Sequence, residues 1–365
     1  MSIPASFFVS IQAIIGQNFV PAFGFSALAG IFTHTVTADR QNGPYSSLQE
    51  MVDAGFTELA APEVYYWGQA VFSQSGTFQH VDKVIIGRRD AADATWTETL
   101  DAVNDADSSS FYYFNIESRV DGDISQACAW AETKTAQAGP PKLFRAQSPD
   151  TSLTEFLAQR SLARVRSFGT FHGVSTGSSD GYVDGAWWSA VGGYNLDAPG
   201  GTGNHNFIPL KAVVADDVNG AFATNLFDNA KSGLFGSIGA PGAKVNFTSG
   251  GTNFAGTQGK NVVATDWVIV RLQEALLNLL IQKKEVPMSN GGFNLAAGTC
   301  LDVLQRGVSY GHFNNSEGFE PTATTPPLNE VDLEAGIIPV TCTAYYLNSA
   351  QKIEVTLYLN NNLAA

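Results

Sequence analysis

The feature that most restricts what this chain can fold into is an alternation of short, continuously apolar runs with longer amphipathic ones, between about residues 22 and 171. Val84 to Gly87, Phe111 to Ile116, Leu143 to Ala146 and Phe168 to Phe171 read as short strands buried on both faces. Between them, Trp96 to Val103, Ile124 to Gln137 and Leu153 to Arg164 read as helices. Strands alternating with helices in this way predict a parallel sheet with helices packed on its faces.

The two ends follow a different period. Phe7, Val9, Ile11, Ala13 and Ile15 share one face, with Ser10 and Gln12 on the other. Ile353, Val355, Leu357 and Leu359 alternate with Lys352, Glu354, Thr356 and Tyr358. A period of two predicts strands over Ser6 to Ile15 and Gln351 to Leu359. Such a strand is an aggregation hazard on a lone molecule, but it is satisfied when it adds to the sheet edge of a partner. Gly16-Gln17-Asn18 and Asn348-Ser349-Ala350 offer bends beside these strands, and Val340 to Tyr346 predicts one more strand.

From Gly173 to Gly259 the chain is rich in Gly, Ser, Asn and Asp, which predicts long loops and short strands with a boundary near Gly250 to Gly259. Asp266 to Gln282 is the strongest helix signal, with Thr265 as N-cap, Lys283 and Lys284 at its end and Pro287 beyond. Its polar residues Arg271, Glu274, Asn278 and Gln282 form one narrow stripe, so most of its circumference is expected to be buried. At 365 residues the chain exceeds the size at which one core keeps growing, and two domains are expected.

Motifs for chemistry are missing. After Val84-Ile85-Ile86 comes Gly87-Arg88-Arg89-Asp90, which lacks both the dinucleotide spacing and the P-loop lysine. Gly200-Gly201-Thr202-Gly203 leads into Asn204-His205 and reads as a loop. The five histidines are scattered, and the three cysteines form no CxxC pair, so neither a zinc site nor a disulfide scaffold is indicated. The acids at Asp101, Asp105 and Asp107, or Asp121 and Asp123, miss calcium-loop spacing. No GxSxG elbow occurs. Catalytic, cofactor and metal residues are therefore all expected to be none, and an α/β enzyme has only fold-level analogy behind it.

Only 15% of residues are charged and the net charge is −14, which disfavours nucleic acid as a partner and suggests a surface covered by something else. The first residues lack a basic leader region, and the run Trp267 to Ile281 contains Arg271 and Glu274, so neither a secretion signal nor membrane insertion is expected. Arg88 and Arg89 after one strand, and Arg160 and Arg164 on one helix, are candidate contacts to an acidic neighbouring copy. Pairing within the chain or plain solvation is the competing reading, because exposed pairs contribute only roughly 0–1 kcal/mol.

Tyr45-Ser46-Ser47-Leu48, Pro62-Glu63-Val64-Tyr65, Ala70, Phe72-Ser73-Gln74 and Val84-Ile85-Ile86-Gly87-Arg88 occur in an order that resembles contractile tail sheath proteins of tailed bacteriophages. Trp96 and Leu100, the Phe111 to Phe114 strand, Ile124, Ala129-Trp130, and Asp266-Trp267 with Arg271-Leu272-Gln273 extend the resemblance. It implies an α/β plus α+β subunit: an N-terminal arm (1–22), an outer α/β domain with Gly-rich loops (23–255), an inner α+β domain (256–346) and a C-terminal arm (347–365). It also implies a helical homo-oligomer around a tail tube protein, with baseplate and tail terminator proteins as partners and no cofactor. The arms would exchange strands between subunits. Contraction would drive the tube through the host envelope for genome ejection, and the protein would reside in the host cytoplasm during assembly and in the virion tail afterwards. Another lattice protein, of a tail tube or capsid, is the alternative.

Overall fold

The computed structural model describes residues 23–74, 80–174, 177–201, 203–240, 243–283, 285–330 and 334–349. The chain runs β1 (Ala27–Thr33), β2 (Gln41–Tyr45), α1 (Leu48–Asp53), α2 (Pro62–Phe72), β3 (Lys83–Arg89), α3 (Trp96–Ala106), β4 (Tyr113–Ile116), α4 (Asp121–Thr133), β5 (Leu143–Ser148), α5 (Thr154–Ser161) and β6 (Ser167–Phe171). It continues through α6 (Val183–Gly192), α7 (Gly220–Thr224), β7 (Gly233–Ala240), β8 (Ala243–Ser249), α8 (Gly259–Lys283), α9 (Asn290–Ser309), β9 (Thr322–Thr324) and β10 (Thr341–Thr343).

Eight strands form one sheet in the order β2-β3-β1-β4-β5-β6-β7-β8. The six inner strands are parallel, and an antiparallel strand closes each side. Leu28 of β1 stands between Val84 of β3 and Tyr113 of β4. Every residue of β4, β5 and β6 is buried, because helices cover both faces of a parallel sheet. One core is built with α3, α4 and α5 around Trp96, Phe114, Trp130 and Phe156. The other joins the sheet to α2, α6, α8 and α9 through Trp67, Trp187, Trp188, Trp267 and Val303. The residues from α8 onward thus share a core with the sheet.

Local chemistry explains much of this. Thr95 and Glu98 form a reciprocal capping box that starts α3. Gly30 has no side chain because a Cβ there would lie 2.8 Å from the Trp67 ring, which lets α2 settle on β1. Arg145 is fully buried on β5. Its guanidinium is stacked 3.9 Å from the Trp187 ring centroid and donates a 3.0 Å hydrogen bond to Thr170 Oγ1. Burial lowers its pKa to about 9.

Several sequence expectations are corrected. The segment 173–259 holds more than loops and short strands: it contains α6, all ten of whose residues are buried, besides the β7–β8 hairpin. The long helix begins at Gly259, so Thr265 lies inside it and donates to Asn261 O at 2.8 Å instead of capping. Its burial is uneven: the first half is core, whereas Leu277, Leu280 and Ile281 are exposed. The strand expected over Val340 to Tyr346 is confined to β10, which pairs with β9.

Candidate assembly surface

In open parallel sheets a ligand site forms where successive connections leave to opposite faces. Here that point lies at the carboxyl ends of β1 and β4, where the polar side chains are engaged with one another. Thr33 N and Oγ1 donate to Glu117, and Arg119 is paired with the buried Asp184 at 2.9 Å. Tyr182 donates to Glu63, whose carboxyl is raised above its ordinary pKa by burial and by the nearby Glu117. Among the described residues no group of His, Cys, Asp or Glu is arranged to hold a metal ion, and no helix is long and apolar enough to cross a membrane.

The organised polar surface lies instead along α8. At Phe23 the chain is held by its backbone: its N–H donates to Glu274 Oε1 at 2.7 Å, and its carbonyl accepts from Arg271 at 3.2 Å. Arg271 is itself fixed, donating to Asp197 Oδ2 at 2.7 Å and to Glu274 Oε2 at 2.7 Å. Trp267 Nε1 donates to Asp197 Oδ1 at 2.9 Å. Burial opposes ionisation of Asp197, but these donors prevail and its pKa is lowered.

The far end of the described chain is held at the start of the same helix, from Gln258 just before it to Thr265. Gln258 Nε2 donates to Ser349 O at 2.9 Å, and Ser349 N donates to Gln258 Oε1 at 3.2 Å. Lys260 Nζ donates to Leu347 O, Asn261 Nδ2 donates to Asn348 Oδ1 at 2.7 Å, and the Thr265 and Tyr346 hydroxyls meet at 2.6 Å. Both terminal segments are therefore rooted on α8, at points roughly 15–20 Å apart along its axis at 1.5 Å per residue. Exposed apolar side chains accompany both roots: Leu277, Leu280 and Ile281 follow Glu274 on the helix, and Tyr345, Tyr346 and Leu347 precede Ser349.

A buried bridge ties this helix to the sheet. Arg166 donates to both oxygens of Asp266, at 3.1 and 2.6 Å, and Tyr112 donates to Asp266 Oδ2 at 2.7 Å. None of these tertiary partners has a local signal in the sequence.

The eight arm residues Phe7, Val9, Ile11, Ile15, Ile353, Val355, Leu357 and Leu359 lie outside the described residues. The arginines are placed and are not brought together as one site. Arg88 pairs with Asp90 at 2.6 Å, and the Arg89 guanidinium lies 4.5 Å from the Trp96 ring centroid. Arg164 Nε donates to Gln159 Oε1 at 3.1 Å. The Arg160 side chain has no hydrogen-bond or ion-pair partner among the described residues, and it stands on α5 beside the exposed Leu157 and Leu162.

No protein-family model matches the sequence, and no curated protein sequence matches it. Solved structures do match, over nearly the whole of both chains. The contracted PVC sheath complex of an extracellular contractile injection system is 8% identical, with a TM-score of 0.66, covering 97% of this chain and 99% of that one. A chain of the anti-feeding prophage baseplate is 11% identical, with a TM-score of 0.62, covering 96% and 99%. The sheath tail protein from Listeria innocua is 9% identical, with a TM-score of 0.57, covering 90% and 97%. With six parallel strands, helices on both faces and a long helix receiving both terminal segments, the chain has the fold of contractile tail sheath proteins, which are structural subunits.

Proposed function

We propose that this chain is the polymerising subunit of a contractile sheath and carries no catalytic activity. The observation that supports this most is the likeness to sheath structures over nearly the whole of both chains. The rooting of both terminal segments on α8 adds a physical reason: backbone anchors at Phe23 and Ser349 suit arms that leave the body to reach neighbours. In this reading Ser6 to Ile15 and Gln351 to Leu359 add as strands to neighbouring subunits, with Phe7, Val9, Ile11, Ile15, Ile353, Val355, Leu357 and Leu359 burying their apolar faces there.

The body would work as two mechanical units, an outer one over residues 23–255 and an inner one over 256–346, while the arms 1–22 and 347–365 keep the lattice connected. Contraction would exchange one set of contacts between nearly rigid bodies for another of lower free energy, with no nucleotide or cofactor. Arg160 and Arg164 are assigned to contacts between copies. A tube protein inside the sheath, and baseplate and terminator proteins at its ends, complete the set of partners. The setting we favour is a phage tail that drives its tube through a host envelope for genome ejection.

Negative-stain microscopy of the concentrated protein tests the reading. Hollow striated tubes from the full chain, and folded monomers from a chain ending at Ser349, are expected. Tubes that form equally well without residues 350–365 would remove the C-terminal arm from the mechanism.

A further inference from the structure

One face of α8 is core at its start and exposed at its end. Val263, Trp267, Val270, Glu274, Leu277 and Ile281 follow one another at three or four residues and so form a single stripe along the helix. Val263, Trp267 and Val270 are buried, whereas Leu277 is 47% and Ile281 44% exposed, and Leu280 beside them is 57% exposed. The change comes at Glu274, where Phe23 is held.

The backbone at that point has a direction. The Phe23 N–H is bonded to Glu274, and its carbonyl is bonded to Arg271, one turn closer to the start of the helix. From nitrogen to carbonyl the chain therefore runs against α8. Followed back from Phe23, it heads toward Leu277 and Ile281.

We propose that Phe19 to Ala22 of the same chain lie along the exposed end of α8, with Phe19 and Val20 seated on Leu277, Leu280 and Ile281. The reach is sufficient. From Glu274 to Ile281 the helix advances ~10 Å at ~1.5 Å per residue. An extended chain covers that distance in three or four residues, at about 3.3 Å each. The chemistry of the segment also suits the stripe. None of residues 1–22 has a charged side chain, so no ion is taken out of water when the segment settles on leucine and isoleucine. Pro21 disfavours the helical conformation at Val20 and extends the chain there. It also brings no N–H of its own that would need a partner on a helix surface, whose backbone groups are already paired.

The contact makes the root of the N-terminal segment part of the body as far back as Phe19, and it covers an apolar patch on the lone subunit. Residues 6–15 take no part in it. The inference therefore goes beyond the sheath reading and stands whether or not those residues exchange strands.

Hydrogen exchange on the full chain, kept dilute enough to be monomeric, tests the contact. Phe19→Ser with Val20→Ser should speed exchange of the amides over residues 279–283 about tenfold and leave those over residues 263–270 unchanged. A second measurement uses Val20→Cys with Ile281→Cys in a chain that also carries Cys342→Ser, so that the exposed native thiol is gone while Cys128 and Cys300 stay buried. Mild oxidation should then join positions 20 and 281 within one chain. Equal exchange in wild type and variant overturns the proposal, as does a cross-link that forms only between chains. Protection of residues 279–283 that appears only as the concentration rises assigns the patch to a second copy and overturns it too. Both measurements are made on the monomer, so failure to form tubes decides neither.

Discussion

The Gln258 side chain holds Ser349 as a neighbouring strand would, giving one hydrogen bond to its carbonyl at 2.9 Å and accepting one from its N–H at 3.2 Å. An amide side chain thus replaces one rung of a ladder at the last described residue of the chain. Such bonds contribute about 0.5–1.5 kcal/mol each, and their loss opens the segment locally without unfolding the core. Gln258→Ala should speed hydrogen exchange at the Ser349 amide about tenfold or more and weaken polymerisation, while the urea midpoint barely moves. A large midpoint shift would mean that the anchor belongs to the cooperative core.

The bridge between Arg166 and Asp266 is a different kind of contact, because both side chains are buried. Removing one partner strands the other charge away from water, which costs roughly 3–5 kcal/mol. Asp266→Asn should lower the unfolding free energy by about that amount in urea titration. Loss of less than 1 kcal/mol would show that the guanidinium finds water.

Stability should also depend on acid through Asp93. Hydrogen bonds from Arg40, at 2.5 and 2.8 Å, outweigh burial and hold its carboxyl at about 2. The folded value lies below the unfolded one of about 3.9, so its contribution is full above about pH 4 and is lost as pH falls toward about 2. Asp93→Asn should flatten the melting-temperature curve across that window and lower it at neutral pH. An unchanged acid limb in the variant would rule this carboxylate out as its source.

The helix α5 tests the proposed charge contacts between copies. Arg160→Glu with Arg164→Glu should alter assembly by an order of magnitude in critical concentration and shift monomer melting by only a few degrees, since within its own chain the Arg164 side chain bonds Gln159 and attracts the carboxylate of Glu155. If melting moves and assembly does not, the pair serves its own chain.

How much of this was legible in the sequence depends on how local each signal is. Strands β3 to β6 stood out because helices on both faces demand unbroken apolar runs, such as Val84 to Ile86. Helix α6 left no period to read, since Val183, Trp187, Trp188 and Val191 face core on every side and its glycines resemble loop. Gly185 is one of these glycines, and the space its side chain would need is taken by Trp67. The start of α8 was hidden for a similar reason: Gly259-Lys260-Asn261 looks like a turn, and Thr265 imitates a cap. Pairings such as Arg166 with Asp266, or Arg271 with Asp197, join residues far apart in sequence, and no spacing rule reaches them.

The borders of the large sheet have a consequence for how separate molecules can meet. On one side, β2 includes Pro44, which has no N–H to offer, and its register slips between Asn42 and Tyr45. On the other, Thr248 of β8 is already occupied by Phe207 and Ile208, and Lys244 stands exposed near the open end. Neither border is a free template, so sheets of separate molecules have little to zip together. In the proposed sheath subunit, borders of this kind would leave growth to the terminal arms and keep a concentrated pool of subunits from clumping through their sheets.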